Sequence, residues 1–150
     1  MKKSLTCYIL MFLVLFQSIS AIAGGWGLVS EPSGSNLGFS VSMLEHSPFP
    51  DFLIPGLFLL VVLGICPAIT LYGLIRKTKF RLAEMINIYK NYHWSWAFSY
   101  YLGITLVLWI DIQVYFLREI SILHFIYSVL GVLIIVVTNL PSTKKCYRID

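Results

Sequence analysis

Asp111 is an acid in an otherwise apolar run, Val107-Leu108-Trp109-Ile110-Asp111-Ile112. A charge at the centre of a membrane-crossing helix costs about 2.5–3.5 kcal/mol on insertion scales, so such a carboxylate usually faces protein or water. Its chemistry would be proton or ligand binding, with Gln113, Arg118, Glu119 and His124 at a similar level. His124 could then relay a proton, because imidazole titrates near neutral pH. The plainer expectation is an interfacial Asp111, hydrated or neutralised by Arg118 one heptad on, with His124 as a hydrogen-bonded packing residue.

No catalytic residue, cofactor or metal ion is expected. His46, His93 and His124 are scattered without metal-ligand spacing. Gly-x-Ser-x-Gly, His-Glu-x-x-His and phosphate-loop patterns are absent. Cys7, Cys66 and Cys146 form no Cys-x-x-Cys pair, and the long first connection holds no cysteine. Small apolar filler is the expected role of all three, and no structural disulfide is expected.

These residues must be positioned by four apolar blocks, at about residues 5–23, 52–75, 94–116 and 120–140. A span needs about 20 mostly apolar residues to cross about 30 Å of hydrocarbon. The chain is 58% hydrophobic and 12% charged, against about 25% charged for a soluble domain. The expectation is an all-α fold, a four-transmembrane-helix bundle forming one membrane domain over residues 1–150.

Charge orients the blocks. Lys2 and Lys3 precede the first; Arg76, Lys77, Lys79, Arg81 and Lys90 lie between the second and third; Lys144, Lys145 and Arg148 follow the fourth. Arg118 alone falls in another connection. Basic residues collect in cytoplasmic connections, so both termini are expected in the cytoplasm and the chain in an inner membrane. The net charge of +4 is explained this way, and no nucleic-acid partner is expected.

The first block also resembles a secretory signal. Lys2-Lys3 would be its basic region, and Ala21-Ile22-Ala23 fits a cleavage site. An uncleaved span is the preferred reading, because apolar character continues through Gly24, Trp26, Leu28 and Val29. Gln17, Ala21 and Gly25 recur every four positions, as a helix-approach stripe would.

The connection 24–51 is the long extracytoplasmic loop, with a turn at Pro32-Ser33-Gly34 and a short interfacial turn or hairpin over 37–44. The second helix is capped by Ser47 or by Asp51. Pro67 should kink it by freeing the carbonyl of Leu63. The basic segment between the second and third helices predicts an amphipathic helix over 80–92. Ser95, Ser99 and Gly103 make a small-residue seam on the third helix. Ser121, His124, Ser128, Gly131 and Thr138 share one face of the fourth, expected to face the bundle interior.

Several short motifs, Pro32-Ser33-Gly34, Leu37-Gly38, Ser47-Pro48-Phe49, Ile54-Pro55-Gly56 and His93-Trp94-Ser95-Trp96, resemble those of a family of small uncharacterised bacterial membrane proteins with four predicted helices. The resemblance covers most of the chain. It implies a four-helix membrane fold and no reaction. Asp111 stands where an uncharged residue is expected in that family, which makes it a local variation and a weaker functional candidate.

Three functions remain compatible with these residues. The leading one is a non-enzymatic accessory or interaction component, partnered by the lipid bilayer and by other membrane proteins or a second copy of itself. The next is a small transporter or permeation unit using the Asp111/His124 region. The third is a membrane-embedded redox component.

Overall fold

A computed structural model describes residues 3–149 and is all-helical apart from turns and a single bridge between Tyr92 and Arg148. Lys2 lies outside the described residues. Four helices are long and apolar enough to cross a membrane: α1 (Leu5–Ser30); the second, running Leu53–Arg76; α5 (Trp94–Leu117); and α6 (Ile122–Asn139). The second consists of α2 (Leu53–Leu60), a π-helical turn Val61–Ile65 and α3 (Cys66–Arg76). Two short helices, α4 (Arg81–Ile86) and α7 (Pro141–Tyr147), lie at the same end as both described termini, here called the basic end.

The exposure pattern differs from that of a water-soluble domain. Phe12, Ile19 and Phe125 stand on the outside of the bundle, whereas Gln17, Ser18, Thr70, Ser99 and Thr138 are buried. Polar groups inside and apolar ones outside suit a hydrocarbon solvent, where internal hydrogen bonds must satisfy every polar group.

The first helix extends past residue 23. It runs unbroken through Ala21-Ile22-Ala23 and Gly24-Gly25 to Ser30. At about 1.5 Å per residue, its 26 residues reach about 39 Å. Gly25 makes this possible: a Cβ there would lie 2.5 Å from the Leu60 backbone nitrogen, so α1 and α2 touch through their backbones.

The second helix changes partners along its length. The part nearer the loop, α2, packs on α1, and α3 packs on both α1 and α5. The π turn and Pro67 separate the two parts. Pro67 has no N–H and its ring crowds the carbonyl of Leu63, and the turn before it is widened. Side chains of α1 take up the displaced carbonyls. Gln17 Nε2 donates to Leu63 O at 3.2 Å, and Ser18 Oγ donates to Gly64 O at 2.8 Å.

Ser95, Ser99 and Gly103 are all buried. Ser95 lies against Gly73 of α3, and Gly103 lies against Gly131 of α6, where a Cβ would meet the Gly131 carbonyl at 2.9 Å. The face expected on α6 divides. Gly131 and Thr138 are buried and His124 and Ser128 are half-buried, but Ser121 is exposed. Ser121 is the N-cap of α6 and not a packing residue: it shares a reciprocal capping arrangement with His124, whose Nδ1 accepts from the Ser121 backbone N–H at 3.1 Å.

The helix expected over 80–92 ends at Ile86. Asn87 ends it by forming local bonds in place of helical ones: its Nδ2 donates to Tyr92 O and its Oδ1 accepts from Tyr89 N, both at 2.9 Å. Leu82, Met85, Ile86 and Ile88 remain exposed at this end. The loop 31–52 folds as two 3-10 turns, Ser35–Leu37 and Val41–Leu44, with Gly34 in the left-handed region at φ 79°. Helix α2 starts later than Ser47 allows. Asp51 Oδ1 accepts from the Leu53 N–H at 2.9 Å and Pro55 falls in the first turn.

Candidate functional site

The basic end is sealed. Trp94 Nε1 donates to Thr78 O at 2.7 Å, Trp96 Nε1 to Thr138 O at 2.8 Å and Tyr147 OH to Leu74 O at 3.0 Å. Burial raises the pKa of the Tyr147 phenol. Lys3 Nζ donates to the carbonyls of Leu74 and Ile75, both at 2.7 Å, at the C-terminal end of α3. There the helix dipole favours a cation. Burial, with Lys77 nearby, lowers the pKa of Lys3.

His93 caps α5. Its Nδ1 accepts from the Ser95 N–H at 3.3 Å, while its Nε2 donates to Thr78 O at 3.1 Å. The ring is therefore neutral with the proton on Nε2. Its pKa lies below the ordinary value, chiefly through burial, against the opposing pull of the Thr78 carbonyl and Glu84.

Cys7 of α1 and Cys146 of α7 meet sulfur to sulfur across 139 positions of sequence. The expectation that the three cysteines are separate filler is corrected in this respect only: two of them are neighbours in space. Packing of α1 against α7 brings the two thiols together, which no local spacing could indicate. Cys66 is free and exposed.

The opposite end is open. Beneath the loop, α1, α2, α5 and α6 enclose a cavity of about 510 Å³. Its lining is mostly apolar, and the loop contributes Leu37, Phe39 and Phe49 as a roof. The partner change of the second helix produces the space, because α3 approaches α5 closely and α2 does not. Trp109 spans part of the gap, stacking on Phe58 with ring centroids 4.4 Å apart. Two polar atoms among the lining residues are buried without a protein partner: Gln17 Oε1 and Trp109 Nε1. A buried unpaired donor or acceptor costs about 1–3 kcal/mol.

The residues expected to act together are separated. Gln113 lines the cavity. Asp111 is exposed and points outward, into a groove between α5 and α6 that it shares with Tyr115, His124 and Ser128. Arg118 is exposed as well, as the left-handed C-cap of α5 at φ 52°. No ion pair joins Asp111 to Arg118, and none forms among the described residues. The expected neutralising pair is thereby corrected: α5 ends at Leu117, and the backbone turns away at Arg118. His124 lines both the cavity and the groove but makes no hydrogen bond to Asp111; its Nδ1 serves Ser121.

Among the described residues no three His, Cys, Asp or Glu side chains gather as metal ligands. Gln17 stood in the sequence as one of a row of small-residue positions, and Trp109 only as a neighbour of Asp111. A glutamine amid 26 apolar-rich helical residues was the available signal. No known family, curated protein or solved structure matches this chain.

Proposed function

We propose that this chain is a small multi-pass inner-membrane protein with both termini in the cytoplasm. It is an accessory component that docks a partner's transmembrane helix in the α5–α6 groove. The observation that carries this reading is the Asp111 carboxylate on the outside of the bundle, with no ion pair or hydrogen bond among the described residues. Asp111 lies six residues before the end of α5, about 9 Å along the helix axis. A carboxylate at that depth is stabilised by a hydrogen-bond donor or cation from a neighbouring segment. Tyr115, Ser128 and His124 beside it supply shape and further polar contact. The occupant is thus a transmembrane helix presenting Lys, Arg, Asn or a hydroxyl at matching depth.

The orientation rests on Lys3, Arg76, Lys77, Lys79, Arg81, Lys90, Lys144, Lys145 and Arg148, all at the basic end. Transport is the weaker reading. Asp111 faces outward, and Trp94, Trp96 and Tyr147 are buried across the basic end, where a pathway would have to pass.

The test is photo-cross-linking in native membranes from position 120, on the rim of the groove. The reading predicts one cross-linked protein, carrying an intramembrane donor, that is lost on Asp111→Leu and retained on Asp111→Glu. Cross-links to lipid alone, or to a second copy of this chain, contradict it.

A further inference from the structure

We infer that the cavity beneath the loop binds an uncharged amphiphile through its hydroxyl-bearing end. At about 510 Å³, it falls within the range of about 300–1,000 Å³ typical of small-molecule sites. The two unpartnered atoms define the chemistry. Trp109 Nε1 can only donate, and Gln17 Oε1 can only accept. A hydroxyl group both accepts and donates, so a hydroxyl-bearing end can answer either need. The charge of the lining excludes the commonest membrane headgroups. No Lys or Arg lines the cavity, and its one formal charge is the acidic Glu119. A phosphate or carboxylate would have no counter-charge and would meet Glu119. The rest of the wall, with Leu28, Phe52, Leu59 and Leu106, suits a hydrocarbon chain or ring.

Access is lateral. Ile112 and Leu123 belong to the lining yet are 46% and 52% exposed, so the cavity opens towards the surface that meets lipid. Monoacylglycerols, isoprenoid alcohols and quinols share the required chemistry, and the mass of a co-purified ligand distinguishes them. The inference is independent of the docking groove, because neither Gln17 nor Trp109 lines that groove.

The test is native mass spectrometry of the full-length protein in detergent, titrated with monoolein and, separately, with oleoyl lysophosphatidic acid. Monoolein is expected to bind one molecule per chain, and the phosphate-bearing lipid about tenfold more weakly. Trp109→Phe keeps a ring against Phe58 but removes the donor, and is expected to weaken monoolein about tenfold. Ala21→Phe fills the cavity from α1 and is expected to abolish binding, with circular dichroism confirming the fold. Asp111→Leu is expected to leave monoolein binding unchanged. Equal binding of the two lipids, or monoolein binding indifferent to Trp109→Phe, overturns the inference.

Discussion

The Gln17 side chain donates its amide hydrogen to the carbonyl of Leu63, at 3.2 Å, the carbonyl that Pro67 cannot serve. A glutamine on one helix thus repairs the backbone defect made by a proline on another. The repair holds the two halves of the second helix in different company, α2 with α1 and α3 with α5. The cavity follows from that divergence.

The pairing predicts coupling between Gln17 and Pro67. Pro67→Ala restores an N–H that can serve Leu63 internally. The cost of Gln17→Leu should therefore be smaller, by about 1 kcal/mol, in a Pro67→Ala background. Unfolding of the four proteins of the cycle in detergent measures this. Equal costs in the two backgrounds would show that the amide does not serve the kink.

Gly103 is predicted to tolerate no larger side chain. A Cβ at this position would sit 2.6 Å from Ile135 Cγ1 and 2.9 Å from the Gly131 carbonyl. Gly103→Val should force α5 and α6 apart and destabilise by at least about 1–3 kcal/mol. Gly38→Ala is the control for a glycine outside any seam: its Cβ would meet nothing within 4 Å, and only its φ of 73° resists substitution. Thermal denaturation in detergent should rank Gly103→Val well below Gly38→Ala.

Stability should fall with acidification because of His93. The folded state holds its pKa below the ordinary 6.5, mainly by burial. Below 6.5 the unfolded chain therefore binds more protons than the folded one. The contribution is complete above 6.5 and is lost as pH falls from there through the folded pKa. Protonation would also remove the Nδ1 acceptor that caps α5. Melting temperatures in this window should drop for the wild type and drop less for His93→Asn, an uncharged residue that can still cap. A parallel slope in both would assign the effect to other groups.

A bond between the neighbouring Cys7 and Cys146, once formed by oxidation, should stabilise the protein by about 2–4 kcal/mol by closing nearly the whole chain into a loop. Reductant is predicted to lower the melting temperature of the wild type and to leave Cys7→Ser unchanged. The proposed cytoplasmic location would expose the pair to the cellular thiol pool, which keeps thiols reduced. Acid-quenched cells should therefore yield both thiols free, with the bond forming on purification.

How much of this was legible depends on the range of the interaction. The four long helices follow from apolar block length alone, and the seam at Ser95, Ser99 and Gly103 follows from spacing within one helix. The first block was bounded at 23 while α1 runs to Ser30, because Gly24, Gly25 and Gly27 resemble a loop until the backbone of Leu60 is placed against Gly25. Pro67 announces a free carbonyl at Leu63, but nothing local says that Gln17 answers it. Asp111 and Arg118, a heptad apart, suggest a pair only if the helix continues, and it stops at Leu117. Cys7 and Cys146 are 139 positions apart and meet only once the bundle closes. Signals within one element were readable, and those that need the identity of a neighbouring helix were not.

The proposed orientation of the bundle decides which leaflet the cavity opens towards and the redox setting of the cysteines. Cysteine-accessibility labelling in intact cells tests it most directly. Single cysteines at Ser35 and at Lys79 are placed in a background of Cys7→Ser, Cys66→Ala and Cys146→Ser. A membrane-impermeant maleimide is predicted to label position 35 from outside and position 79 only after permeabilisation. Labelling of position 79 in intact cells, with position 35 protected, would contradict the account.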